Sequence, residues 1–83
     1  MNRQQIFDLI VRHTREVIPD LQAAHVRTDD SLRELGANSV DRSEILMMTL
    51  ASLSARVSLV DLARAENIGE LAGIIHGKLQ LAA

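Results

Sequence analysis

Cysteine, tryptophan and tyrosine are missing from this 83-residue chain, Phe7 is its one aromatic and Pro19 its one proline. Without cysteine there is no disulfide framework, no thiolate nucleophile and no zinc-thiolate site, so any thiol chemistry must come from an added group. Without aromatics beyond Phe7, base stacking and rigid aromatic hot spots are excluded. Basic residues are also in short supply. Nine Lys and Arg stand against eleven Asp and Glu, a net charge of −2 with no basic block, which leaves little for nucleic-acid phosphates. The least polar stretch, residues 45–53, is interrupted by Thr49 and Ser52 and is far too short to span a bilayer. The opening Met1-Asn2-Arg3-Gln4-Gln5 leads into mixed charged and apolar residues rather than the continuous apolar run of a signal peptide, so a cytoplasmic protein with no membrane partner is expected.

What is present suits a small packed fold. Apolar residues make up 47% and charged residues 24%, too apolar for disorder. At this length a single domain over residues 1–83 is expected, a monomer that buries only about 60–65% of its extended surface. Ile6, Phe7, Ile10, Val11, Val17 and Ile18 fall at three-and-four spacing, which predicts a first helix over residues 4–18, stopped by Pro19. A long connection follows. Within it, Asp29 and Asp30 precede Ser31-Leu32-Arg33-Glu34-Leu35, a single turn with acidic caps that Gly36 can close at positive φ.

Asn38 stands as an N-cap with Asp41 as its capping-box partner, opening a second helix over residues 39–53. Residues 59–64 are long enough for a short third helix. Asn67-Ile68-Gly69-Glu70 repeats the capping-box spacing, and Ile68, Leu71, Ile74 or Ile75, and Leu79 mark one face of a fourth. No segment alternates with period two. The expected fold is all-α: a small antiparallel bundle of three main helices plus one short helix, with a long loop between helices one and two. Phe7, Ile10, Leu32, Leu35, Ile45, Leu71 and Ile75 are its expected core. In helix two, Ile45, Met48 and Leu53 should point inward, leaving Leu46 or Met47 outward.

Ser39 is the candidate functional residue. It opens helix two after a loop of roughly twenty residues, longer than most connections in compact domains, and such loops are often functional. Unpaired backbone N–H groups and the helix dipole at that point favour a phosphate, although a serine in this place can equally serve only to start a helix. The three histidines, His13, His25 and His76, have no partner at a metal-ligand spacing and read as surface residues. Ser31, Ser43, Ser52, Ser54 and Ser58 pair with no histidine in any arrangement recognisable along the chain, so no intrinsic catalysis and no metal are expected.

The stretch Asp30-Ser31-Leu32-Arg33-Glu34-Leu35-Gly36-Ala37-Asn38-Ser39-Val40 resembles the attachment motif of acyl carrier proteins, and Asn67-Ile68-Gly69-Glu70-Leu71 resembles that family's start of helix four. The resemblance covers the whole chain. It implies that Ser39 takes 4′-phosphopantetheine from a phosphopantetheinyl transferase and that the cofactor's terminal thiol then holds acyl groups as thioesters. This suits a chain without cysteine, because the cofactor supplies the chemistry and the protein the orientation. Most of the family has Asp before the modified serine; here it is Asn38, which caps a helix equally well but removes one negative charge from the transferase docking point.

The run Gly36-Ala37-Asn38-Ser39-Val40-Asp41-Arg42 is similar to the discrete carriers of polyketide β-branching cassettes. For such a carrier the resemblance implies loading with malonyl by an acyltransferase, decarboxylation to acetyl by a decarboxylating ketosynthase, and donation of the acetyl unit to an HMG-synthase-like enzyme. Acceptor carriers of that reaction typically have Trp six residues after the modified serine; Ile45 occupies that position, which favours the donor role. By the same resemblance, Asn38, Val40, Asp41, Arg42, Glu44, Leu46 and Met47 form the partner-docking face. Core filling is the simpler reading for at least one of Met47 and Met48, since neighbours on a helix point about 100° apart. A peptidyl, aminoacyl or fatty-acid carrier, and a non-catalytic helical interaction module or helix-turn-helix DNA binder, are the alternatives. Arg42 as the one cation between Ser39 and Leu53 counts against DNA.

Overall fold

The first helix starts where its cap is strongest. In the computed structural model, which describes residues 1–82, α1 runs Arg3–Val17 behind a reciprocal cap. Gln5 N–H donates to Asn2 Oδ1 at 2.8 Å and Asn2 N–H to Gln5 Oε1 at 2.9 Å. The helix ends one residue before the expected Ile18, because Pro19 opens a 3-10 turn over Pro19–Leu21 and pulls Ile18 out of helical geometry. Then come α2, Ser39–Leu53, the one-turn α3, Leu59–Leu62, and α4, Ile68–Ala82. The third helix is shorter than the expected 59–64; Ser58 Oγ caps it by accepting from Val60 N–H at 3.2 Å, and it closes after one turn.

α1 is the centre of the bundle, packing on both α2 and α4, while α3 leans on α4. Ile6, Ile10, Ile45, Ile68 and Ile75 are fully enclosed, with Phe7, Leu32, Leu62 and Leu71 around them. Burying side chains of this size stabilises by about 1.5–3 kcal/mol each. Leu35 is an exception to the expected core: it is only half-buried at the edge of its turn, packed against the core rather than inside it. On α2 the buried pair is Ile45 and Thr49, one turn apart, and Met48 and Leu53 lie at the half-buried flank. Thr49 can be enclosed because its hydroxyl donates to the Ile45 carbonyl at 2.8 Å, and Thr14 does the same to Ile10 at 2.7 Å.

The long loop is fastened at both ends. Ser31, rather than Asp29 or Asp30, caps the turn, its Oγ accepting from Glu34 N–H at 3.0 Å; Asp30 instead accepts from Arg27 N–H at 2.7 Å. Gly36 closes the turn at φ +103°, the positive φ expected of it. At the far side, Ile68 and Gly69 donate their N–H groups to the Asp30 and Thr28 carbonyls, both at 2.8 Å. A Cβ on Gly69 would sit 2.9 Å from the Thr28 oxygen, so the loop can approach α4 this closely only over a glycine.

His13 is not a surface residue. It is 7% exposed, and its ring lies between α1 and α2 with Nε2 2.9 Å from Ser52 Oγ and Nδ1 3.3 Å from Glu16 Oε2. The expectation that no histidine meets a serine fails here, because 39 residues of sequence separate two groups that the helix packing brings together. His25 is exposed and His76 half-buried.

Candidate functional site

Three contacts set the backbone just before Ser39. Ala37 is 3% exposed and anchors the loop in the core, with its N–H donated to the Leu32 carbonyl at 3.0 Å. Asn38 makes the reciprocal cap expected of it: Asp41 N–H donates to Asn38 Oδ1 at 2.8 Å, and Asn38 N–H donates to Asp41 Oδ2 at 3.2 Å. Arg42 reaches back along the first turn, and its Nη1 donates to the Ala37 carbonyl at 2.8 Å. Ser39 follows as the first residue of α2, exposed. The N–H groups of a first helical turn have no intrahelical partner and sit at the positive end of the helix dipole, so negative charge beside this hydroxyl is favoured.

Ser39 lies between two depressions. On one side a cleft of about 650 Å³ opens between the 31–34 turn, α2, α3 and the start of α4. Leu46, Leu62, Ile68 and Leu71 contribute its apolar surface, and Arg33, Glu34, Arg42 and Glu66 its charge. On the other side a shallower hollow of about 450 Å³ is lined by Val40, Ser43, Glu44, Met47 and Met48 together with Ser39 itself.

The seven residues expected to dock partners divide into three groups. Val40, Glu44 and Met47 are exposed, Val40 at 70% and Met47 at 62%, and form an outward face on α2. Asn38, Asp41 and Arg42 hold the loop in place. Leu46 is half-buried along the cleft. The sequence reading missed Leu59 and Val60, which stand 48% and 72% exposed on α3. Two adjacent aliphatic residues in a helix too short to bury both were the available signal. Among the described residues no cluster of three His, Asp or Glu side chains is placed to hold a metal ion, and no helix is long and apolar enough to cross a membrane.

Comparison with known proteins gives three findings. A family model described as "Phosphopantetheine attachment site" matches residues 10–75. The polyketide biosynthesis acyl-carrier-protein AcpK of Bacillus subtilis (strain 168) is 42% identical over 82 residues, covering 99% of this chain and all of the relative. Among solved structures, a chain from the crystal structure of the curacin biosynthetic pathway HMG synthase in complex with acetyl donor-ACP superimposes with a TM-score of 0.90. It is 41% identical, and the match covers 94% of this chain and all of that one.

Proposed function

The chain belongs to the phosphopantetheine-attachment family, whose members carry 4′-phosphopantetheine on a serine, and from that premise we propose that Ser39 is the serine modified here. The observation that carries this reading is the exposed hydroxyl of Ser39 on the first turn of α2, behind a backbone held by Ala37, Asn38, Asp41 and Arg42. The residues present fit the group. The dipole and free N–H groups of that turn favour the phosphate charge beside the serine oxygen. The cofactor, when attached, supplies the thiol on which acyl cargo is held. The protein orients it: a fixed loop limits the directions in which the arm leaves the helix, and the apolar side of the 650 Å³ cleft gives a short acyl group shelter from water.

The function that follows is a non-catalytic acyl carrier of polyketide biosynthesis, working in the cytoplasm and donating acetyl to an HMG-synthase-like enzyme in β-branching. Support comes from the polyketide carrier relative and from the likeness to a donor carrier seen with its HMG synthase. Ile45, at the position where acceptor carriers typically have Trp, is fully enclosed in the core. Peptidyl, aminoacyl and fatty-acid carriage have weaker support, since the curated relative is a polyketide-biosynthesis carrier and the structural match is to an acetyl donor-ACP complex of the curacin pathway. A phosphopantetheinyl transferase, an acyltransferase and a decarboxylating ketosynthase are the further partners this role requires. Val40, Glu44 and Met47 form the face they meet, combining one charge with a small apolar patch.

Two measurements test this. Incubated with coenzyme A and a broad-specificity transferase, the chain should gain one phosphopantetheine by intact mass, and Ser39→Ala should gain none; modification of the variant would sink the assignment. Acetyl on the modified protein should then pass, through the HMG-synthase-like enzyme, to an acceptor carrier loaded with a β-ketoacyl chain. If the enzyme ignores the acetylated form but processes this protein when it bears the β-ketoacyl group, only the general carrier role survives.

A further inference from the structure

At the far end of α2, thirteen residues and about 20 Å from Ser39 along the helix, Ser52 and His13 meet at 2.9 Å, and Glu16 lies behind the imidazole at 3.3 Å. The side chain of His13 is 9% exposed, that of Glu16 44%, and Ser52 is exposed. At about 100° per residue, thirteen steps place Ser52 on roughly the opposite side of α2 from Ser39, so this cluster shares no surface with the carrier site. A carboxylate can only accept, which assigns the proton of neutral His13 to Nδ1 and leaves Nε2 to accept from the Ser52 hydroxyl. A hydroxyl, a base and a carboxylate that orients the base are the parts that activate a serine in acyl transfer.

We propose that Ser52 is a second acyl-acceptor hydroxyl on this chain, acylated by activated esters and thioesters with His13 as general base and Glu16 as the positioning residue. In the step, Ser52 Oγ forms a bond to the carbonyl carbon as its proton passes to His13 Nε2. The bond to the leaving oxygen or sulfur breaks, and the proton is returned to that leaving group, giving a serine ester and a free alcohol or thiol. The helix limits the outcome. Ser52 sits in the last turn of α2, where Ser54 N–H is already committed to the Leu50 and Ala51 carbonyls and the dipole is negative. That N–H is thus not offered to a tetrahedral oxyanion, and loss of such a donor costs about 10²–10³ in rate. The site accepts an acyl group from a good leaving group and keeps it; it is a modification site, independent of whether Ser39 carries a cofactor.

The test is to treat the full chain with p-nitrophenyl acetate and follow hydroxylamine-labile acetyl by peptide mass mapping. Ser52 should acquire acetyl at least tenfold faster than its exposed neighbour Ser54, and Ser52→Ala should abolish that signal. His13→Gln keeps the size and hydrogen bonding of the buried ring while removing the base, and should slow labelling about a hundredfold, the low end of what a positioned base contributes. Glu16→Gln changes only a partly exposed side chain, so it tests the relay even if His13→Gln weakens the fold, and should slow labelling severalfold. Equal labelling of Ser52 and Ser54, or rates at Ser52 untouched by both substitutions, would overturn the proposal.

Discussion

The two ends of α2 each present an exposed serine, and they do it by opposite means. At the start, Ser39 is set by control of the backbone before it, from the Gly36 turn to the Asn38 and Asp41 cap and the Arg42 contact with the Ala37 carbonyl. At the finish, Ser52 sits in an ordinary last turn and owes its setting to side chains of another helix, His13 and Glu16. A hydroxyl that is to receive a bulky phosphate from an outside enzyme needs access and a positive helix end. A hydroxyl that is to react unaided needs a base.

The comparison breaks most completely if the support shared by both ends is removed. Ile45 is fully enclosed midway along α2, and Ile45→Ala should cost about 2–5 kcal/mol, a large part of what so small a domain has, lowering the thermal midpoint and loosening both serines together. A midpoint that stays within a degree would show that α2 is held elsewhere. Gly36→Ala should act at one end alone: a side chain at φ +103° costs about 1–2 kcal/mol, and the loss should appear as faster amide exchange over residues 37–41 with residues 49–53 unaffected.

Asn38 sharpens the contrast between fold and charge. Asn38→Ala should cost about 1 kcal/mol in chemical denaturation through the lost cap, whereas Asn38→Asp should leave stability nearly unchanged, because the two residues cap equally well. The Asp variant should still change initial rates with different transferases severalfold, since it adds a charge next to Ser39. The smallest effect is expected beyond Ser52. Ser54 holds φ 51°, a left-handed conformation costing about 1–2 kcal/mol. Glycine there relieves that strain and pays about 0.4–1 kcal/mol in unfolded-chain entropy, so Ser54→Gly should gain only about 0.5 kcal/mol. A loss in its thermal midpoint would mean that the serine side chain contributes to the cap.

Most of the Ser39 end was legible in sequence. The capping box at Asn38, the Asn67 side chain that accepts from Glu70 N–H, the glycine that closes the turn, and the apolar face of α1 each involve residues within four positions of one another, and short-range steric and hydrogen-bonding rules fix such patterns before any packing occurs. At Asn67 the box is only half made, since Glu70 reaches Glu66 N–H instead of Asn67 N–H. The errors have a common origin. Exchanging Met48 for Thr49 inside α2, and placing Leu35 in the core, are mistakes about which part of a helix or turn faces its neighbours. α2 is apolar over most of its circumference, so its periodicity does not settle that rotation.

Residues close together along the chain were enough to place the helices, the Asn38 cap, the long loop and the exposed serine that opens α2, because each depends on neighbours within one or two turns; the Asn2, Ser31 and Ser58 caps became visible only in the fold. It took the packing of helix on helix to brace Arg42 on the Ala37 carbonyl rather than leave it projecting outward, to open a cleft of about 650 Å³ beside Ser39, and to bury His13 against Ser52. Those depend on how α1 and α2 are rotated against each other and on how α3 and α4 close over the loop. The apolar core, gathered from every part of the chain, sets those angles all at once.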